Sequence, residues 1–162
     1  MKNCMVAGSF DPVTNGHFDL IKRASALFDN VYAVIFNNSE KTYLFSIDER
    51  KEMLKTACRH MNSVIVDTSE KLAVDYAAEH EICAIVRGVR DSSDCADEIA
   101  LAQIYNELCY NVDTVILPSR PELSFVSSKF VREMIKYGHN TDKYVPAGIA
   151  DYIEKRIKKY RK

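Results

Sequence analysis

Tryptophan is absent from this chain of 162 residues, and glycine (5) and proline (4) are scarce. So few chain-breaking residues exclude a collagen-like or low-complexity protein and leave room for regular elements. Neither sign of charge prevails, since 22 Lys and Arg face 23 Asp and Glu for a formal net charge of −1. The global basic field that draws nucleic acid or an anionic membrane is missing, so neither is expected as a partner. No apolar run approaches bilayer-spanning length, and the N-terminus opens on a strand-like segment without a signal-peptide core. The five cysteines, Cys4, Cys58, Cys83, Cys95 and Cys109, are odd in number and form no C-x-x-C pair. Free thiols in a reducing compartment follow, and a cytoplasmic location is the expectation.

What is present suits one domain over residues 1–162, with 47% hydrophobic and 28% charged residues. Short runs rich in Val and Ile alternate with amphipathic segments. The runs are Asn3–Ala7, Val31–Phe36, Val64–Val66, Ala84–Val86 and Thr114–Leu117. Nearly free of charge, they read as strands covered on both faces. Helical spacing marks Phe18–Phe28, Ile47–His60, Lys71–Glu81 and Asp94–Tyr110. Ser46 and Glu49 form a capping box for the second of these. In the fourth, Ile99, Leu101, Ala102, Ile104, Tyr105 and Leu108 share one apolar face, with Tyr105 and Tyr110 read as core or interface. Two more helices follow: Val126–Tyr137, stopped by Gly138, and one opened by Pro146 that carries Ile149, Ile153 and Ile157. The basic end of the last helix (Lys155, Arg156, Lys158, Lys159) reads as a solvated face suited to the helix dipole. This alternation implies an α/β fold: a Rossmann-like, doubly wound, five-stranded parallel sheet with a helical C-terminal extension. Such sheets bind ligands beyond the carboxyl ends of their strands, where strand order reverses.

One such end is G-S-F-D-P-V-T-N-G-H, Gly8 to His17. Glycine lets the backbone approach a phosphate, and unpaired amides at a helix start favour anions. His17 at that mouth is placed to donate to a phosphoryl oxygen, or else simply caps the helix. V-R-G-V-R, Val86 to Arg90, follows the fourth run, so Arg87 and Arg90 should emerge at the same edge. Guanidinium forks bind phosphate bidentately, although Asp91, Asp94 and Asp97 offer these arginines ion pairs. Lys41, in a polar loop with Asn37, Asn38, Ser39 and Glu40, is on its own a solvated cation; topology makes it a third candidate at that edge. Glu98 sits early in a helix, where a dipole partner is ordinary. Ser124, Ser127 and Ser128 precede another helix and offer hydroxyls to phosphates or plain caps. His60, His80 and His139 have no metal-ligand spacing.

G-S-F-D-P-V-T-N-G-H resembles the T-x-G-H signature of the nucleotidyltransferase superfamily, and more closely the bacterial phosphopantetheine adenylyltransferases. The likeness continues through Lys41, F-S-I-D-E-R, V-R-G-V-R, the acidic Asp94–Glu98 segment and S-F-V-S-S to the final V-P-x-x-I. It covers nearly the whole chain in order. The resemblance implies transfer of AMP from ATP to 4′-phosphopantetheine by direct in-line attack, with no covalent enzyme intermediate. It implies that His17 donates to the α-phosphate, Ser9 bridges both substrates, and Lys41 and Arg87 hold the acceptor phosphate beside Ala73. It places ATP against Ser9, Phe10, His17, Gly88, Val89, Arg90, Glu98, Leu123, Ser124, Phe125, Val126, Ser127, Ser128 and Lys129. It also implies a homohexamer. Mg²⁺ is expected to arrive with ATP, because it keeps several waters and needs few protein ligands. The chain departs from the family's pattern at Lys129, where many members carry Ser or Thr, and at Ala73, where a larger apolar residue is common. Relatives of the same superfamily that act on nicotinamide mononucleotide or glycerol phosphate are the nearest alternatives.

Overall fold

The computed structural model describes residues 1–37 and 41–160, without the side chains of Lys159 and Tyr160. Asn38, Ser39 and Glu40 of the polar loop, and the Lys159 side chain of the basic run, therefore lie outside the described residues. Strands β1 (Asn3–Gly8), β2 (Asn30–Phe36), β3 (Val64–Ser69), β4 (Ile82–Val89) and β5 (Asp113–Pro118) alternate with helices α1 (Asn15–Ala24), α2 (Ile47–Cys58), α3 (Ala73–Glu79) and α4 (Ser92–Leu108). Helices α5 (Ser128–Lys136) and α6 (Ile149–Tyr160) complete the chain. The strands form one sheet in the order β3-β2-β1-β4-β5, every pair parallel.

Alternation along each strand divides the core into two layers. Cys4, Val6, Val31, Ala33, Ile35, Ala84 and Val86 pack with Ile21, Met53, Leu54, Val131, Ile149 and Ile153. On the opposite face Met5, Val34 and Ile85 pack with Val74, Tyr76, Ala77 and Val112. Helices α1, α2, α5 and α6 thus cover one face and α3 the other, as a doubly wound sheet requires. Among the described residues, no helix is long and apolar enough to cross a membrane.

Several boundaries differ from the periodicity, each for a local reason. Helix α1 starts at Asn15, ahead of Phe18, because Thr14 caps it, and it ends at Ala24. β4 runs through Arg87 and Gly88 because both pair with β5, opposite Ile116 and Leu117. α5 begins after Val126, since Ser127 is its cap and accepts from the Phe130 amide. Pro146 lies three residues before α6, in the turn that leads into it. Ser46 and Glu49 do close a capping box on α2. Gly138, at φ 74°, ends α5 as expected: its amide bonds to the Ile135 carbonyl and the His139 amide to that of Met134. The apolar face of α4 is covered only in part: Tyr105 packs half-buried against the second core layer, but no residue of the helix is fully buried, and Ile99, Ile104 and Leu108 are exposed.

Candidate active site

Chain order reverses between β1 and β4, and the geometry there is not that of a continuous ladder. The two strands pair only as far as Met5 opposite Ile85, while β1 continues to Gly8 and β4 to Val89. Their separating ends open a cleft of about 620 Å³, a volume suited to small-molecule substrates. Gly88 lies on its floor, where an added Cβ would stand 3.3 Å from the Leu20 side chain. Ser9, His17, Lys41, Ala73, Arg87, Gly88, Arg90, Glu98, Leu123, Val126, Ser127 and Ser128 line this one cleft. Phe10, Val89, Ser124, Phe125 and Lys129 do not. Phe10 is buried beneath, its ring 4.9 Å from that of His17. Val89 is buried in β4, and the Ser124 hydroxyl bonds the Pro121 carbonyl. Phe125 packs edge-on against Phe130 and Tyr144, and Lys129 is exposed.

His17 both caps its helix and faces the cleft. It is the third residue of α1, and its Nδ1 accepts the Thr14 amide at 3.1 Å while the Thr14 hydroxyl accepts the His17 amide. A backbone N–H can only donate, so Nδ1 is the acceptor and, in the neutral ring, Nε2 carries the proton. Burial, reinforced by the Arg87 and Arg90 charges, lowers the imidazole pKa to about 4. The cleft therefore holds a neutral ring at physiological pH, locked in the tautomer that offers an N–H.

The arginines are oriented by carboxylates. Arg87 donates from Nε and Nη2 to Glu98 at 2.6 and 2.7 Å, and from Nη1 to the Ala7 carbonyl at 3.0 Å. One N–H on each terminal nitrogen remains for a ligand. Burial works against the Arg87 charge, but the Glu98 carboxylate outweighs it and holds the pKa above its usual value. Arg90 is paired with Asp94 at 2.6 and 3.0 Å, which keeps the Asp94 carboxyl below its ordinary pKa. Of the partners the sequence offered, Asp94 pairs with Arg90; Arg87 instead takes Glu98, and both pairs line the cleft.

Sequence reasoning missed the supports beneath these groups. Asp11 is buried and accepts the Leu44 and Phe45 amides at 2.9 Å, which pins the segment that carries Lys41 and Tyr43. Arg132 donates to the Asp11 carbonyl at 2.6 Å, and the Ser128 hydroxyl to that of Pro12 at 2.8 Å. At the other end of the cleft, Arg23 reaches the Pro118 carbonyl at 2.7 Å and Arg120 reaches Asp19 at 2.8 Å. Only the position of Asp11 beside Pro12, in a turn, hinted at any of this.

The model of the cytidylyltransferase-like family matches residues 5–134. A phosphopantetheine adenylyltransferase of Shouchella clausii is 41% identical over 154 residues, 95% of this chain and 97% of that one. Another from Streptococcus mutans is 40% identical over 159 residues, 98% of this chain and 96% of its own. The chain belongs to the cytidylyltransferase-like family and, within it, to the phosphopantetheine adenylyltransferases. In fold it is similar to Plasmodium falciparum nicotinic acid mononucleotide adenylyltransferase complexed with NaAD, at TM-score 0.68, 18% identity and 96% coverage of both chains.

Proposed function

We propose that this chain transfers the adenylyl group of ATP to the phosphate of 4′-phosphopantetheine, giving dephospho-coenzyme A and pyrophosphate. The observation that carries the reading is His17, neutral and held by Thr14 with its Nε2–H free, between the arginine wall of β4 and the Ser9 turn. In the reaction an acceptor phosphate oxygen attacks the α-phosphorus, forming one P–O bond as the bond to pyrophosphate breaks. The acceptor is a phosphate monoester, whose second pKa near about 6 leaves it ionised, so no protein base is needed. His17 donates to a non-bridging α-oxygen as charge builds, Ser9 bridges the substrates, and Lys41 with Arg87 holds the acceptor phosphate. Arg90, Ser127 and Ser128 face the triphosphate. Positioning and fixed dipoles supply the catalysis.

Mg²⁺ enters this reading as part of the MgATP substrate. Mg²⁺ keeps several of its waters and is commonly held through substrate phosphate oxygens. Bound there, it would neutralise charge on the leaving pyrophosphate. The exposed apolar residues Ile99, Ile104 and Leu108 of α4, with Tyr110 just beyond it, support the self-association behind the homohexamer that the family implies. The free cysteines accord with a cytoplasmic location.

The test is pyrophosphate release from MgATP with 4′-phosphopantetheine, compared with nicotinic acid mononucleotide and glycerol phosphate. Strong preference for 4′-phosphopantetheine is expected. Release driven better by either of the others would overturn the assignment.

A further inference from the structure

Arg50, on α2, is 1% exposed and lies outside the cleft lining, yet it touches two parts of the cleft at once. Its Nη1 donates to the Ser9 carbonyl at 2.9 Å and its Nη2 to Asn37 Oδ1 at 2.8 Å. Ser9 directly follows β1 and Asn37 directly follows β2, so one planar fork ties the ends of two neighbouring strands. The guanidinium also stacks on the Tyr43 ring, 4.0 Å from its centroid, and that ring lines the cleft near Lys41.

For stability alone this is a poor choice of residue. A buried guanidinium carries a large desolvation cost, and apolar residues of similar volume often serve as well. Its Nε is buried without a partner among the described residues, so the fork is placed for Ser9 and Asn37 at the expense of its own hydrogen bonding. The turn it holds is strained: Phe10, next to Ser9, sits at φ 47°, a left-handed conformation that persists only when its surroundings enforce it. From the other side, Arg132 and Ser128 of α5 hold the next carbonyls, those of Asp11 and Pro12. The turn is gripped by α2 toward Lys41 and by α5 toward the serines.

We propose that Arg50 is a positioning residue for the acceptor phosphate, joining the Ser9 turn and the Tyr43–Lys41 segment into one rigid unit. The inference rests on the adenylyl-transfer reading above. Arg50→Lys keeps the charge and loses the fork; Asn37→Ala removes one of its two anchors without opening the core. In Arg50→Lys the KM for 4′-phosphopantetheine should rise about tenfold or more and kcat should fall, as misplacement of a reacting group predicts. The KM for ATP should rise by clearly less, because Ser9 is the only one of the expected ATP contacts that Arg50 holds, and the α5 grip on the serines is intact. Asn37→Ala should move the acceptor KM in the same direction by less, and it decides the matter should Arg50→Lys not fold. A purely structural Arg50 would instead lower the melting temperature and the active fraction and leave both KM values alone; that pattern, or an unchanged acceptor KM in the folded variants of an active protein, overturns the inference. A wild type that does not adenylate 4′-phosphopantetheine sinks the underlying reading first.

Discussion

His17 uses one ring nitrogen to finish a helix cap and leaves the other for chemistry, and the two uses separate on substitution. His17→Ala should lower kcat by about 10²–10³-fold, the loss typical of one oxyanion donor, with little change in either KM. Loss of the cap should cost only about 1 kcal/mol, so the variant stays folded for steady-state assay. Its pKa gives a second outcome. The folded ring titrates near about 4 and a free histidine near 6.5, so between those values the unfolded chain binds the extra proton. Stability is therefore full above about pH 6.5 and falls as pH drops toward about 4, by about 3 kcal/mol at most. Urea midpoints from pH 7 to pH 4.5 should fall further for the wild type than for His17→Ala; parallel curves would remove His17 as the cause. The T-N-G-H motif made His17 legible in the sequence. Its tautomer was not, because that depends on where the Thr14 amide points. Arg50 and Asp11 were illegible for a similar reason: a charged residue reads as solvated until tertiary structure buries it.

Helix α4 shows what periodicity can and cannot say about an element. The spacing of Ile99, Ile104, Tyr105 and Leu108 marks a face that water does not favour, but not which chain covers it. Here its own chain covers Tyr105 in part and leaves Ile104 and Leu108 more than half exposed. Light scattering on the eluted protein should show an oligomer. Ile104→Asp with Leu108→Asp should shift it to smaller species with an unchanged circular dichroism spectrum. A wild-type monomer would leave the face unexplained by self-association. The strands were more legible than the helices' ends, because all five runs fell on strands and their lengths were merely extended by pairing. β4 gained Arg87 and Gly88 from β5, a partner whose register no local pattern encodes.

At the scale of the whole molecule, burial sorts the thiols. Cys4 and Cys58 are buried, and burial pushes their pKa values up to about 12 and about 11, whereas Cys83 is exposed. Brief alkylation followed by peptide mass mapping should label Cys83 well ahead of Cys4 and Cys58, which should react only on unfolding. Equal labelling would mean that the core opens far more easily than its packing implies. The sheet order carries a different consequence, one of timing. β1 lies at the centre of the sheet, yet the strand that closes its second side begins only at Ile82. A chain still being synthesised can assemble β3, β2 and β1, but its first strand then stands as an open edge ready to pair with other chains. Arg87 and Arg90 reach His17 only when β4 docks along that edge. Nucleotide therefore has nothing to stabilise in a nascent or truncated chain, and the last strand pairing to form at the centre of the sheet is also the one that creates the cleft.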